Sequence, residues 1–202
     1  MNTTLYGSLT SPYARLCRVV RRRAGLEEQI SFVTADPFDE AFRQHNPLGK
    51  VPALIVSGGP ALFETTLIVR TLDGMGGGAT LPPEGHARLQ AEADIALMMG
   101  ILDLGVAYRL EEMRPKEEQS PRWMERRLLG LRTALPLVQE AARRAGERPE
   151  GAAAAAFAVA GDWLRFRLAP TFPFEEDAPE AGAILDRLLE DEALTSTDPR
   201  RA

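Results

Sequence analysis

The period of the hydrophobic positions changes near residue 80. Up to about Asp73 the apolar residues come in short runs between turn formers, and beyond His86 they recur at helical spacing over long stretches. Thr3 to Gly7 reads as a strand, and Ser11-Pro12 opens a helix, with serine as N-cap and proline at the first helical position, where its missing N–H costs nothing. Leu16, Val19 and Val20 recur at helical spacing and Gly25 is a stop. Ile30 to Val33 returns as a strand, and two strands joined by a helix are expected to be parallel with a right-handed crossover. Asp39 to Gln44 suits a short helix. Ala53 to Val56 and Ala61 to Phe63 read as strands paired across the Ser57-Gly58-Gly59-Pro60 turn, with helix resuming after Glu64. Gly74 to Pro83 lacks periodicity and reads as a linker; its Gly76-Gly77-Gly78 run has neither the spacing nor the lysine of a phosphate loop.

The remainder predicts helices over His86 to Met113, from Ser120-Pro121 to near Gly146 with a kink at Pro136, over Ala152 to Leu168 and over Glu180 to Leu189. The tail, Thr195 to Ala202, is polar and expected to fray. No internal repeat is visible. The expected architecture is an α/β N-terminal domain with a mixed four-stranded sheet, residues 1–80, followed by an all-α domain, residues 84–195.

Composition narrows the function. The chain has 202 residues, 45% of them hydrophobic, and a formal net charge of −5, which argues against a nucleic-acid or anionic-membrane partner. Arg21-Arg22-Arg23 closes the first helical pattern, where cations suit the dipole. No apolar run approaches the roughly 20 residues that cross a bilayer. The N-terminus, Met1-Asn2-Thr3-Thr4-Leu5, has no basic region followed by an apolar one, and the single cysteine excludes an internal disulfide. These features predict a soluble cytoplasmic protein. His45 and His86 are isolated, so no metal is expected. A dithiol redox site would need Cys-x-x-Cys where Ser11-Pro12-Tyr13-Ala14 stands, and Cys17, nearly two turns further along, reads as a packing residue.

Three short segments carry candidate chemistry. A cis Val51-Pro52 bond, only modestly costly before proline, turns the Val51 backbone outward so that an extended peptide can pair with it as an added strand. Glu64-Thr65 falls where a strand ends and a helix begins. The helix N-terminus and the Thr65 hydroxyl suit a carboxylate and Glu64 suits an amino group, so the pair can recognise the α-amino acid end of a ligand. Ser11 caps the first helix, and a thiol held there feels a hydroxyl donor and a positive helix end. Lowering a thiol from about 8.5 by about two units needs about 2.7 kcal/mol, within reach of those two effects. The plainer reading of Ser11 is an N-cap alone.

Thr10-Ser11-Pro12-Tyr13, the Asn46-Pro47-Leu48-Gly49-Lys50-Val51-Pro52 loop and Glu64-Thr65 together resemble the glutathione S-transferase family, closest to its bacterial members with a T-S-P-[FY] segment near the N-terminus. The resemblance spans nearly the whole chain and implies a thioredoxin-like N-terminal domain, an all-α C-terminal domain, a homodimer, and glutathione as co-substrate in detoxification. It implies Ser11 as the thiolate-stabilising residue, Val51 as backbone partner of the cysteinyl unit, Glu64 and Thr65 as the γ-glutamyl clamp and Lys50 as partner of the glycyl carboxylate, unless Lys50 is only an exposed loop lysine. An apolar electrophile pocket is expected between the domains, lined by Leu9, Thr10, Tyr13 and, from the long helix, Met98, Met99, Leu102 and Tyr108; a methionine stripe at this spacing also suits plain core. The chain departs from the family at the core helix of the second domain, where Gly151 and Ala154 replace a Ser/Thr-x-x-Asp capping box. An anchor for that helix is therefore expected to be lost. This departure motivates an alternative, a non-catalytic binding or regulatory protein of the same fold.

Overall fold

The computed structural model describes residues Thr3–Arg201. Met1 and Asn2 of the N-terminal reading and Ala202 of the tail lie outside the described residues.

Strand β1 (Thr3–Gly7) pairs in parallel with β2 (Ile30–Thr34), Thr3 opposite Ile30. On its other side it runs antiparallel to β3 (Ala53–Ile55), which turns back into β4 (Ala61–Phe63), giving the order β2-β1-β3-β4. The pleat sends Thr3, Leu5 and Gly7 to a buried face and leaves Thr4 and Tyr6 half-buried on the other. Helices α1 (Pro12–Arg23) and α3 (Thr65–Met75) cover the buried face, where Leu5, Leu16, Val19, Val20, Leu54, Ile68 and Leu72 are fully enclosed. Each such side chain contributes about 1.5–3 kcal/mol. The short helix α2 (Glu40–Arg43) closes the other face by packing Phe42 against Ala35, Ala53 and Tyr6.

Gly7 is required where β1 ends beneath α1: a Cβ there would lie 2.6 Å from the Ala14 Cβ and 3.1 Å from the Phe32 ring. This close approach sets the N-terminus of α1 against the sheet.

The helical part comprises α4 (His86–Glu112), α5 (Pro121–Glu147), α6 (Ala152–Leu168), α7 (Phe174–Asp177), α8 (Pro179–Leu188) and α9 (Glu192–Thr195). Helix α6 lies at the centre, against α4, α5, α8 and α1. Every residue from Ala154 to Ala160 is buried, so the helix is enclosed on all sides and its alanines let neighbours approach closely. Helix α5 runs unbroken through Pro136.

Three expectations change. The linker begins after Met75 and its far end is built in: the buried Asp73 accepts from Thr80 N–H, Thr80 Oγ1 and Leu81 N–H at 2.8–2.9 Å and pairs with Arg88, while Thr80 and Leu81 are enclosed. The tail is tied down. Thr195 ends α9, Thr197 is buried, and Arg200 Nη2 lies 2.9 and 3.0 Å from the two Asp162 oxygens. A local reading saw only polar residues there, because the partner carboxylate sits 38 residues upstream. Helix α6 lacks a side-chain cap at Gly151, yet it keeps an anchor made of other bonds. Ala152 N–H donates to Thr80 O at 2.8 Å and Arg23 Nη1 to Gly151 O at 2.9 Å. Nearly two turns from its far end, Asp162 joins Arg15 of α1 in a buried ion pair.

Candidate functional site

Ser11 sits at the N-cap of α1 in extended conformation, φ −74°, ψ 122°, and its Oγ accepts from Ala14 N–H at 3.2 Å. The hydroxyl is half-buried, and that bond uses only a lone pair, so its hydrogen remains to be donated. The first turn of α1 carries no acidic residue to cancel the positive end of the helix.

The loop before β3 is braced from inside. Asn46 is fully buried, donates Nδ2–H to Lys50 O at 2.6 Å and accepts from Leu48 N–H at 3.0 Å. Gly49 adopts φ 58° beneath the Arg43 guanidinium, which would lie 2.6–2.9 Å from any Cβ at that position. The Val51-Pro52 peptide is cis, and the Val51 main chain takes no hydrogen bond from the described residues. Val51 is half-buried, two residues before β3. Lys50 is exposed, with no ion pair among the described residues. The motif made this loop recognisable, but the bracing role of Asn46 and the Arg43 cover over Gly49 went unread, since both depend on contacts across the turn.

Glu64 caps α3 from a left-handed conformation, φ 88°. Such a backbone costs about 1–3 kcal/mol in a non-glycine residue and points to a constrained corner. Its carboxylate accepts from the Thr66 and Leu67 N–H groups, both at 3.0 Å, and from the Thr66 hydroxyl. Burial alone would raise this carboxyl; the bonds from Thr66, Leu67 and Thr65 more than offset it and hold it below the usual carboxylate range. Thus Glu64 stays ionised and exposed, while two amides that the sequence reading offered to a ligand are already satisfied by Glu64 itself. Thr65 is buried beside it.

Tyr13, on the first turn of α1, reaches the other half of the molecule. Its hydroxyl donates to Asp103 Oδ1 of α4 at 2.6 Å. Burial, then the bond to Asp103 and its charge, raise the phenol far above its ordinary range, so it stays a neutral donor. Among the other expected pocket residues, Thr10 is exposed, Leu9 is half-buried, and Met99 and Tyr108 are buried near the surface, while Met98 and Leu102 are enclosed in the core. Sequence reasoning missed Asp103. The available signal was its position four residues after Met99, on the same helical face. Cys17 is fully buried; burial and then the Glu64 charge push its thiol up, away from nucleophilic character.

Among the described residues no three His, Cys, Asp or Glu side chains gather as a metal site requires, and no helix is long and apolar enough to cross a membrane. A surface groove of about 660 Å³, lined by Leu104, Trp123, Leu129 and Leu137, includes none of the residues above.

Comparison with known proteins adds independent findings. Residues 10–75 match the model of the glutathione S-transferase N-terminal domain. An uncharacterised GST-like protein of Escherichia coli K12, YibF, is 28% identical, the match covering 98% of this chain and 99% of that one. A glutathione transferase family member from Pseudomonas fluorescens Pf-5, solved with bound glutathione, superposes with a TM-score of 0.90 at 28% identity over 98% of this chain and 99% of its own. A glutathione S-transferase from Methylobacillus flagellatus KT, solved with glutathione, gives 0.88 at 26% identity over 98% of this chain and 100% of its own.

Proposed function

We propose that this chain, whose residues 10–75 match the glutathione S-transferase N-terminal domain and whose fold matches glutathione transferases solved with glutathione, binds glutathione and transfers its thiolate to small apolar electrophiles. The Val51 main chain pairs with the cysteinyl unit, Glu64 with the γ-glutamyl ammonium, Thr65 with the γ-glutamyl carboxylate, and Lys50 with the glycyl carboxylate. Ser11 donates its hydroxyl hydrogen to the sulfur. The thiolate attacks the electrophilic carbon, a C–S bond forms, and the leaving group departs as an anion. The observation that carries this reading is the unused hydroxyl hydrogen of Ser11 at an N-terminus free of acidic residues. We further propose a cytoplasmic homodimer acting in detoxification, twofold dimers being the commonest oligomers.

Calorimetric titration with glutathione tests the binding step. Wild type is expected to bind and Glu64→Ala to bind at least tenfold more weakly, the loss of a charge-assisted pair. Absence of wild-type binding would overturn the proposal. Turnover of a chloronitrobenzene substrate tests the chemistry: turnover indifferent to Ser11→Ala removes Ser11 from the mechanism. Glutathione binding without turnover across an electrophile panel would assign the chain a non-catalytic role instead.

A further inference from the structure

The Tyr13–Asp103 pair stands apart from the other charged contacts of the molecule. Tyr13 lies two residues beyond Ser11 on the first turn of α1, and Asp103 lies on α4, in the other half of the chain. The bond between them joins the first turn of α1 to α4. Asp103 is exposed, and no Arg, Lys or His among the described residues forms an ion pair with it. Elsewhere on α4 the acidic side chains are matched: Glu92 by Arg88 and Arg70, Asp94 by Arg144, Glu111 by Arg127 and Glu112 by Arg109. Asp103 thus brings a carboxylate with no ion-pair partner among the described residues to the side chain that stands two residues beyond Ser11. Its Oδ1 accepts from a phenol that burial, then the bond to Asp103 and its charge, keep protonated as the donor.

We infer that Asp103, oriented by Tyr13, is a specificity-determining residue of the electrophile site, favouring electrophiles that carry a cationic group and rejecting those that carry a carboxylate in its place. This rests on the glutathione reading above. A unit charge at a partly solvated wall changes the affinity of a nearby charged group by about fivefold, and salt reduces the effect.

Calorimetry with three glutathione conjugates isolates this charge effect: S-(4-nitrobenzyl)-, S-(4-carboxybenzyl)- and S-(4-trimethylammoniobenzyl)glutathione, with free glutathione as reference. Wild type is expected to bind the trimethylammonio conjugate about fivefold more tightly than the nitro conjugate, and the carboxy conjugate about fivefold more weakly. Asp103→Asn retains an acceptor for the Tyr13 hydroxyl and removes only the charge, so the spread should collapse to within about twofold. Tyr13→Phe retains the charge and should keep the spread. Equal wild-type affinity for the three conjugates, or a spread that survives in Asp103→Asn, overturns the inference and leaves glutathione binding intact. Equal collapse in both variants also overturns it, by assigning the effect to the hydrogen bond. If neither glutathione nor any conjugate binds wild type, the glutathione reading itself fails.

Discussion

Ser11 and Glu64 are both helix caps, and in this chain capping and proposed ligand chemistry share the same atoms. A serine cap accepts through its oxygen and still has a proton to give, so one residue can finish α1 and polarise a sulfur. Ser11→Ala is expected to move the pH dependence of turnover toward alkaline pH and to lower the rate at pH 7 by about ten- to hundredfold, the loss of about two units of thiol acidification. It should also cost about 1 kcal/mol in stability, so rate profiles and denaturation curves must be measured on the same preparations. Glu64 makes a pH prediction with a definite sign. Its carboxyl is lowered in the folded chain, so its contribution to stability is present above the ordinary glutamate range, about 4.3, and is lost as pH falls through the lowered value. Glu64→Gln should flatten that acid limb in urea midpoints measured between pH 3 and 7, and an unchanged limb would remove Glu64 from the acid response.

Two contacts between elements decide where α1 stands. The first is Gly7 beneath Ala14, where an added methyl has no space. Gly7→Ala should cost about 1–3 kcal/mol in chemical denaturation, because α1 must lift from the sheet. The second is Arg15–Asp162, with both side chains nearly fully enclosed. Asp162→Asn leaves Arg15 buried without its counter-charge and is expected to cost about 3–5 kcal/mol. Arg200→Ala removes a partner of the same carboxylate whose side chain is 39% exposed, so its effect should stay within about 1 kcal/mol. Equal effects of the two variants would contradict this division. The pair also explains how α6 stays fixed without a capping box: its hold lies in tertiary bonds to Thr80, Arg23, Arg15 and Arg200.

At the scale of the whole molecule, these bonds tie the sheet-bearing half to the helical half. Arg15 reaches Asp162, Tyr13 reaches Asp103, and Asp73 holds both the linker and Arg88 of α4. The chain is therefore expected to unfold in one transition. Trp123 and Trp163 both lie in the helical half, on α5 and α6, whereas far-ultraviolet circular dichroism reads both halves. Their transitions should coincide; a separate fluorescence step would show that the halves uncouple. Light scattering at micromolar concentration should return twice the chain mass if the proposed homodimer forms, and a monomer would contradict it.

Local pattern sufficed for the four strands and for α1 to α6 and α8, whereas the one-turn helices α7 and α9 carry no periodicity to read. Caps and stops are written in adjacent residues: Ser11-Pro12, Gly25, Ser120-Pro121 and the alanine run bound their helices because propensity and capping act within one or two turns. The loop motif and Glu64-Thr65 were legible for the same reason, each being a short contiguous device. What the sequence left unread involves bonds between residues far apart in the chain. The tail is held by a carboxylate 38 residues away, α6 by an arginine 147 residues away, and Tyr13 meets Asp103 across 90 residues. A lone acid or arginine looks the same in sequence whether it faces water or a partner, and only the packing of α1 against α4 and α6 decides between them. Thus the sequence by itself determined the order of the strands and main helices and the corner proposed to hold a γ-glutamyl peptide. The tertiary structure decided which charges are buried, which are paired, and that Asp103 meets Tyr13 rather than a cation, because those outcomes depend on packing between elements far apart in the chain.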